Sequence, residues 1–224
     1  MPTRPIVCYV TDRKAAGSAD PTAGVHARIR AAVSAGVDWV QIREKDQPAR
    51  ELLSLVRAAL TIAAGQPDAN RARVIVNDRL DVAIAAGADG VHLGGESIPA
   101  AEVVRWCRGG HAPAGFLIGV SCHSIEQARA AEGAGADYVF FGPVFDTPAK
   151  RVFGAPQGIA KLGEACRAVR IPVIAIGGVN EENGEECLRA GAAGIAAIRL
   201  FQEARDPGVL REAVERLHLG GRQD

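Results

Sequence analysis

An α/β architecture, a (β/α)8 barrel formed by residues 1–224 as one domain, is the fold this sequence predicts, and three observations predict it. Short β-branched runs alternate from end to end with Ala-rich amphipathic segments, the pattern of βαβ crossovers and a parallel sheet. The runs number eight: IVCYVT, WVQIR, RVIVN, GVHLG, LIGVS, YVFFG, PVIAIG and GIAAIRL. A weak repeat, AGVDWV, AGADGV, AGADYV and AGAAGI, begins at residues 35, 86, 134 and 190, at intervals of 51, 48 and 56. An interval near that length holds two β/α units, so four repeats account for eight strands, as in a TIM barrel.

Each repeat places a Gly where a helix ends and a strand is entered, and Gly readily takes the left-handed conformation at a helix C-terminus. Segments such as ARELLSLVRAALTIAA and SIEQARAAEGA supply the intervening helices. A doubly wound open sheet is the competing fold, but no G-x-G-x-x-G follows the first strand. GQPDANRAR reads as a loop, and no linker or shift in composition marks a second domain.

The 224 residues are 48% hydrophobic and 23% charged, with formal net charge zero. That balance carries no electrostatic footprint for nucleic acid. The longest apolar runs are strand-sized, far below the ~20 residues of a membrane span, and MPTRPIVCYVTDR has no signal-peptide core. Five cysteines never form C-x-x-C, which predicts buried thiols in a reducing cytoplasm rather than a metal site or disulfide framework. The expected partners are small molecules, with neither nucleic acid nor membrane; the oligomeric state is not legible.

Barrel enzymes carry their chemistry where the strands end, so the strand tips decide function. The second strand runs into QIREKD. Strand residues alternate between barrel interior and surrounding helices, which turns Val40 and Ile42 toward the helices and Gln41, Arg43 and Lys45 toward the mouth. Two cations there favour a substrate with concentrated negative charge, phosphate or diphosphate; an internal Arg–Glu network closing the barrel top is the alternative. The third strand ends in Asn77-Asp78. Asp78 suits either Mg²⁺, which takes few protein carboxylates and keeps phosphate oxygens and waters, or a cap on the following helix.

The seventh strand ends in IGGVNEEN, where Gly177 and Gly178 let backbone N–H groups approach an anion and the following helix adds a favourable dipole. The eighth ends in AAIRLF, with Arg199 as a further cation or a partner for a surface acid. After the sixth strand, GPVFDTPAKR brings Thr147, Lys150 and Arg151 on a loop suited to a flap, or merely solvated. GVSCHS contributes Ser121 and His123; His123 and His92 read first as hydrogen-bonded structural residues. No Ser–His–Asp order or carboxylate pair stands out for hydrolysis.

YVTDR, QIREK, NDRLDVAIAAGADGVHLG, GVSCHS, GADYVFFGPVF and IPVIAIGGV, spread over essentially the whole chain, together resemble the thiamine phosphate synthase/thiazole tautomerase family, on the synthase side. The resemblance implies a transferase of thiamine biosynthesis. It would join 4-amino-2-methyl-5-hydroxymethylpyrimidine diphosphate to thiazole phosphate and release pyrophosphate, assisted by Mg²⁺. It also implies roles: Gln41, Arg43, Lys45 and Asn77 on the diphosphate; Asp78 on Mg²⁺; Ser121 beside the pyrimidine and leaving group; Lys150 on pyrophosphate. Thr147, Gly178 and the backbone around Ile198 and Arg199 would hold the thiazole phosphate, with Arg43, Ser121 and Lys150 carrying catalysis.

Three positions depart from the family pattern. Ser97 stands where a second metal-binding Asp is usual, with Glu96 as neighbour. Ala149 replaces a Thr in the flap, and Arg199 replaces a Ser. Two other readings follow: a thiazole tautomerase with His123 as its base, and a phosphate-binding barrel without turnover.

Overall fold

The computed structural model describes residues 4–15, 21–67, 71–146, 155–204 and 206–220. Eight parallel strands close into a barrel in chain order. They are β1 (Ile6–Val10), β2 (Trp39–Ile42), β3 (Arg73–Asn77), β4 (Gly90–Leu93), β5 (Leu117–Cys122), β6 (Tyr138–Phe141), β7 (Val173–Ile176) and β8 (Gly194–Ala197). Closure comes from β8 against β1, with Ile6 opposite Gly194 and Tyr9 opposite Ala197. All eight predicted strands are present. The eighth ends earlier than GIAAIRL suggests, because Ile198 is already helical and Arg199 opens a short helix.

The helices are α1 (Pro21–Ala35), α2 (Ala49–Ala64), α3 (Leu80–Ala86), α4 (Ala100–Trp106), α5 (Ile125–Gly133), α6 (Gly158–Ala168), α7 (Gly184–Arg189), α8 (Arg199–Gln202) and α9 (Pro207–Leu219). In α2 the buried residues Leu52, Leu55, Val56, Ala59 and Ala63 follow the helical period and form one apolar stripe. Ser124 caps α5 by accepting the Gln127 N–H. Asp206 caps α9, accepting from Gly208 and Val209, with Pro207 at the first helical position where its missing N–H costs nothing. Among the described residues, no helix is long and apolar enough to cross a membrane.

Strand parity sorts the apolar side chains into two layers. Val7, Tyr9, Val40, Ile42, Val74 and Val76 pack outward against the helices. Ile6, Cys8, Val10, Trp39, Tyr138, Phe140, Ile174 and Ala196 fill the barrel interior. Tyr138 crosses the interior directly over Gly119, where an added Cβ would lie 2.1 Å from the Tyr138 ring. Only a glycine admits that crossing. The five cysteines are free and four of them are buried; burial pushes the Cys122 thiol up to about 12, so it is no thiolate nucleophile at neutral pH.

The repeat organises the N-terminal face. Gly36, Gly87, Gly135 and Gly191 all take left-handed φ values, 93°, 73°, 86° and 104°, as the sequence predicts. The Asp in the first three repeats reaches back to the strand before it. Asp38 accepts the Val7 N–H, Asp89 the Val74 N–H and Asp137 the Ile118 N–H, at 2.7–2.8 Å. Each also pairs with an arginine, Arg4, Arg71 and Arg108 respectively. The fourth repeat has Ala193 in that place and keeps only the backbone bonds, Ala193 N to Val173 O and Ile6 N to Ala193 O.

Candidate active site

The C-terminal face is built differently. Gln41 is 2% exposed and shares parity with Trp39, so its amide points into the barrel. Its Nε2 has no hydrogen-bond partner among the described residues, an uncompensated donor that costs free energy until an acceptor arrives. The four charges after it divide by parity. Glu44 is buried and accepts from Thr11 Oγ1 at 2.7 Å and from the Arg13 backbone N–H at 3.1 Å. Asp46 pairs with Arg13 and Lys14, and those two cations hold its carboxyl well below the usual carboxylate range. The side chains of Arg43 and Lys45 have no carboxylate within pairing distance among the described residues. The alternative Arg–Glu network is present in Arg13, Glu44 and Asp46, and Lys45 lies exposed in the turn beyond β2.

Asp78 follows β3 with φ of 69°. A left-handed non-glycine residue carries backbone strain and marks a position worth a functional hypothesis. The capping role considered for it is not the one found: α3 is entered through Arg79 without a side-chain cap, and Arg79 pairs with Asp81. The Asp78 carboxylate instead accepts from the Ser97 hydroxyl, which itself accepts the Gly94 N–H at 2.6 Å. The Ser97 position thus lies against Asp78, where the family's second Asp is expected. Asn77 is half-buried beside it, and Glu96 is exposed.

Inside the mouth, His92 is 1% exposed. Its Nε2 lies 2.9 Å from Ser121 Oγ and its Nδ1 3.1 Å from the Tyr138 hydroxyl. Burial, and then the nearby Arg43 charge, lower its pKa to about 3, so the ring is neutral at physiological pH. Arg43 is thereby close to the interior, as its parity predicts. A neutral ring with no carboxylate behind it is a poor base for a serine nucleophile; its role toward Ser121 is to hold the hydroxyl. Parity along β4, β5 and β6 turns His92, Ser121 and Tyr138 to the same interior, a signal not used for His92 in the sequence.

Gly177 and Gly178 also have positive φ, 92° and 70°. Side chains there would lie 2.6 Å from Pro143 and from Phe145, so both glycines give the segment after β6 room to lie on β7. Asn183 ties down the Gly178 carbonyl through Nδ2 at 3.0 Å. The following helix, α7, is only six residues long. Gly178, Asn180 and Arg199 share a cavity of about 370 Å³ that also receives Glu181, Glu182 and Glu203; Arg216 pairs with Glu181. Arg199 reaches that cavity from the first residue of α8, not from a strand end, while Ile198 packs against the barrel interior. His123 is exposed, and its Nδ1 bonds the Gly142 carbonyl, which requires the proton on that nitrogen. Thr147, Ala149, Lys150 and Arg151 lie outside the described residues.

Among the described residues, no three His, Cys, Asp or Glu side chains gather as a metal cage. The strand tips instead carry Gln41 and Arg43 after β2 and Asn77 with the left-handed Asp78 after β3. Such a set suits binding and charge stabilisation of a polyanion rather than acid–base work.

Comparison with known proteins agrees. The family profile described as thiamine monophosphate synthase matches residues 7–201. A putative thiamine-phosphate synthase of Geobacter sulfurreducens is 48% identical over 198 residues, 88% of this chain and 87% of the relative. The thiamine-phosphate synthase of Roseiflexus sp. (strain RS-1) is 43% identical over 211 residues, covering 93% and 83%. The solved thiamine phosphate pyrophosphorylase of Pyrococcus furiosus superposes with a TM-score of 0.82 at 31% identity, covering 97% of each chain. A 3-hexulose-6-phosphate synthase of Salmonella typhimurium, at 15% identity and a TM-score of 0.70, shares the fold alone. With the profile spanning most of the barrel, this chain belongs to the thiamine monophosphate synthase family.

Proposed function

We propose that this chain is a thiamine-phosphate synthase. It joins 4-amino-2-methyl-5-hydroxymethylpyrimidine diphosphate to thiazole phosphate and releases pyrophosphate. The observation that carries this reading is the sorting of charge after β2. Glu44 and Asp46 are spent on Arg13 and Lys14, while Arg43 and Lys45 are left for an anion. Gln41 Nε2, without a partner among the described residues, supports the same assignment.

In this reading Gln41, Arg43, Lys45 and Asn77 hold the diphosphate. As the bond from the pyrimidinylmethyl carbon to the leaving oxygen breaks, negative charge grows on pyrophosphate and these donors stabilise it. The thiazole nitrogen then forms the new bond to that carbon, so both rings must be held in register. Ser121, fixed by neutral His92, lies beside the pyrimidine and the leaving group. Lys150 contacts pyrophosphate from the segment outside the described residues, and Thr147 joins Gly178 and the backbone at Ile198 and Arg199 on the thiazole phosphate.

The donor set at the third strand tip fits Mg²⁺. That ion takes one or two protein carboxylates and fills its shell with phosphate oxygens and water. Asp78 offers one carboxylate, with Ser97 bonded to one of its oxygens. Bound there, Mg²⁺ would neutralise diphosphate charge. Five free cysteines fit a reducing cytoplasm.

The test mixes purified protein with both substrates, with and without Mg²⁺, and follows thiamine phosphate by mass spectrometry. Metal-dependent product is expected. Folded protein that makes none would contradict the reading, and the thiazole carboxylate phosphate of a tautomerase, with His123 as base, would be tried next.

A further inference from the structure

The cations after β2 sit on a segment that is not itself part of the sheet: β2 ends at Ile42, one residue before Arg43. What fixes the direction of an arginine just beyond the last ladder residue is the question the β1 tip answers. Thr11, fully buried, donates its hydroxyl to Glu44 Oε1 at 2.7 Å. Thr11 Oγ1 in turn accepts the Arg43 backbone N–H at 2.9 Å, while the Thr11 N–H bonds the Gln41 carbonyl at 2.9 Å. Glu44 has its remaining capacity filled by Arg13: the backbone N–H at 3.1 Å to each carboxylate oxygen, and Nη1 at 3.3 Å. Arg13 also bonds both oxygens of Asp46.

The order of donors and acceptors matters. Glu44 accepts the Thr11 proton, which leaves a Thr11 lone pair to receive the Arg43 N–H. Arg13 in turn holds Glu44 in place through three bonds. Residues 44 and 46 are thus anchored to the β1 tip on either side of residue 45, and the backbone of residue 43 is anchored directly.

We propose that Thr11 and Glu44, backed by Arg13, are positioning residues that aim Arg43 at the diphosphate. They touch no substrate and act through Arg43. The inference rests on the proposed function, since it presumes that Arg43 binds the diphosphate. Misplacing a binding group by about 1 Å costs up to about a hundredfold in rate, so a clamp at this point has a measurable effect.

The experiment is steady-state kinetics with each substrate varied in turn, on Thr11→Val, Thr11→Ser, Arg13→Ala and Arg43→Ala, with folding checked by circular dichroism. Thr11→Val keeps the shape and removes the hydroxyl. It should lower kcat/KM for the pyrimidine diphosphate roughly tenfold or more and leave the KM for thiazole phosphate unaltered. Thr11→Ser restores the hydroxyl and should recover most of the loss. In an Arg43→Ala background, Thr11→Val should add nothing further, because its effect passes through that side chain. Arg13→Ala, at a partly exposed site, supplies the same readout with a smaller loss if Thr11→Val folds poorly.

Equal losses on both substrates, or losses that multiply with Arg43→Ala, would overturn the inference. So would wild-type kinetics in both Thr11→Val and Arg13→Ala when Arg43→Ala is impaired, which leaves the proposed function standing. Wild-type kinetics in Arg43→Ala overturn the inference and the diphosphate assignment together.

Discussion

The two ends of this barrel use the same charged residues in opposite ways. At the N-terminal face, Asp38, Asp89 and Asp137 each take a strand N–H and an arginine, and the arrangement recurs with the repeat. At the C-terminal face the acids after β2 are paired, but the neighbouring cations Arg43 and Lys45 have no carboxylate partner among the described residues. The first arrangement closes a scaffold, while the second, in the proposed function, leaves charge for a diphosphate. A repeated motif here records how the fold is built, and the site is written in the residues that do not repeat.

Arg43→Ala is the sharpest way to break this comparison. Losing one preorganised charge-stabilising donor typically costs roughly 10²–10³ in turnover, so a fall of that order is expected with an unfolding midpoint near wild type. Urea unfolding and steady-state kinetics on the same preparation check both halves.

Asp89→Ala is the mirror experiment. It leaves the Val74 N–H without its side-chain acceptor and removes the Arg71 pair, at a cost of about 1–3 kcal/mol. The folded fraction should turn over normally, and a kinetic defect in it would blur the division between the faces.

His92 lies between the two regimes, a buried polar group that supports the site at the expense of acid stability. Its folded pKa, about 3, lies below the ordinary 6.5, so the unfolded chain binds the extra proton between those values. Stability therefore falls as pH drops through that window, by up to about 1.4 kcal/mol per pH unit from this group. Denaturation between pH 7 and 5 should show that slope, flattened in His92→Asn.

The smallest expected effect tests how far the metal assignment holds. Ser97→Asp places a second carboxylate beside Asp78 and should lower the Mg²⁺ concentration for half-maximal activity severalfold. No change in the Mg²⁺ titration would place the ion elsewhere.

The strands, their inward and outward faces and the left-handed glycines are legible in the sequence because each is a local pattern with a steric cause. The end of β8 is not: IRL is β-branched and apolar enough to read as strand, yet Ile198 and Arg199 turn into α8. Asp78 reads equally well as helix cap or ligand; the structure removes the cap, since α3 is entered through Arg79 without one and Asp78 bonds Ser97. The Thr11–Glu44 bond joins residues 33 apart, a distance at which spacing carries no signal. His92 was within reach, since the parity that turns Gln41 inward turns His92 inward as well.

The measurement that tests the central claim most directly is hydrogen–deuterium exchange with and without Mg²⁺, pyrophosphate and thiazole phosphate. If the C-terminal face is the site, amides in residues 41–46, 77–79, 92–97 and 177–183 slow on binding, while those in residues 4–7, 71–74 and 116–118 at the opposite end are unchanged. Protection confined to the N-terminal face, or none at saturating ligand, would contradict the account.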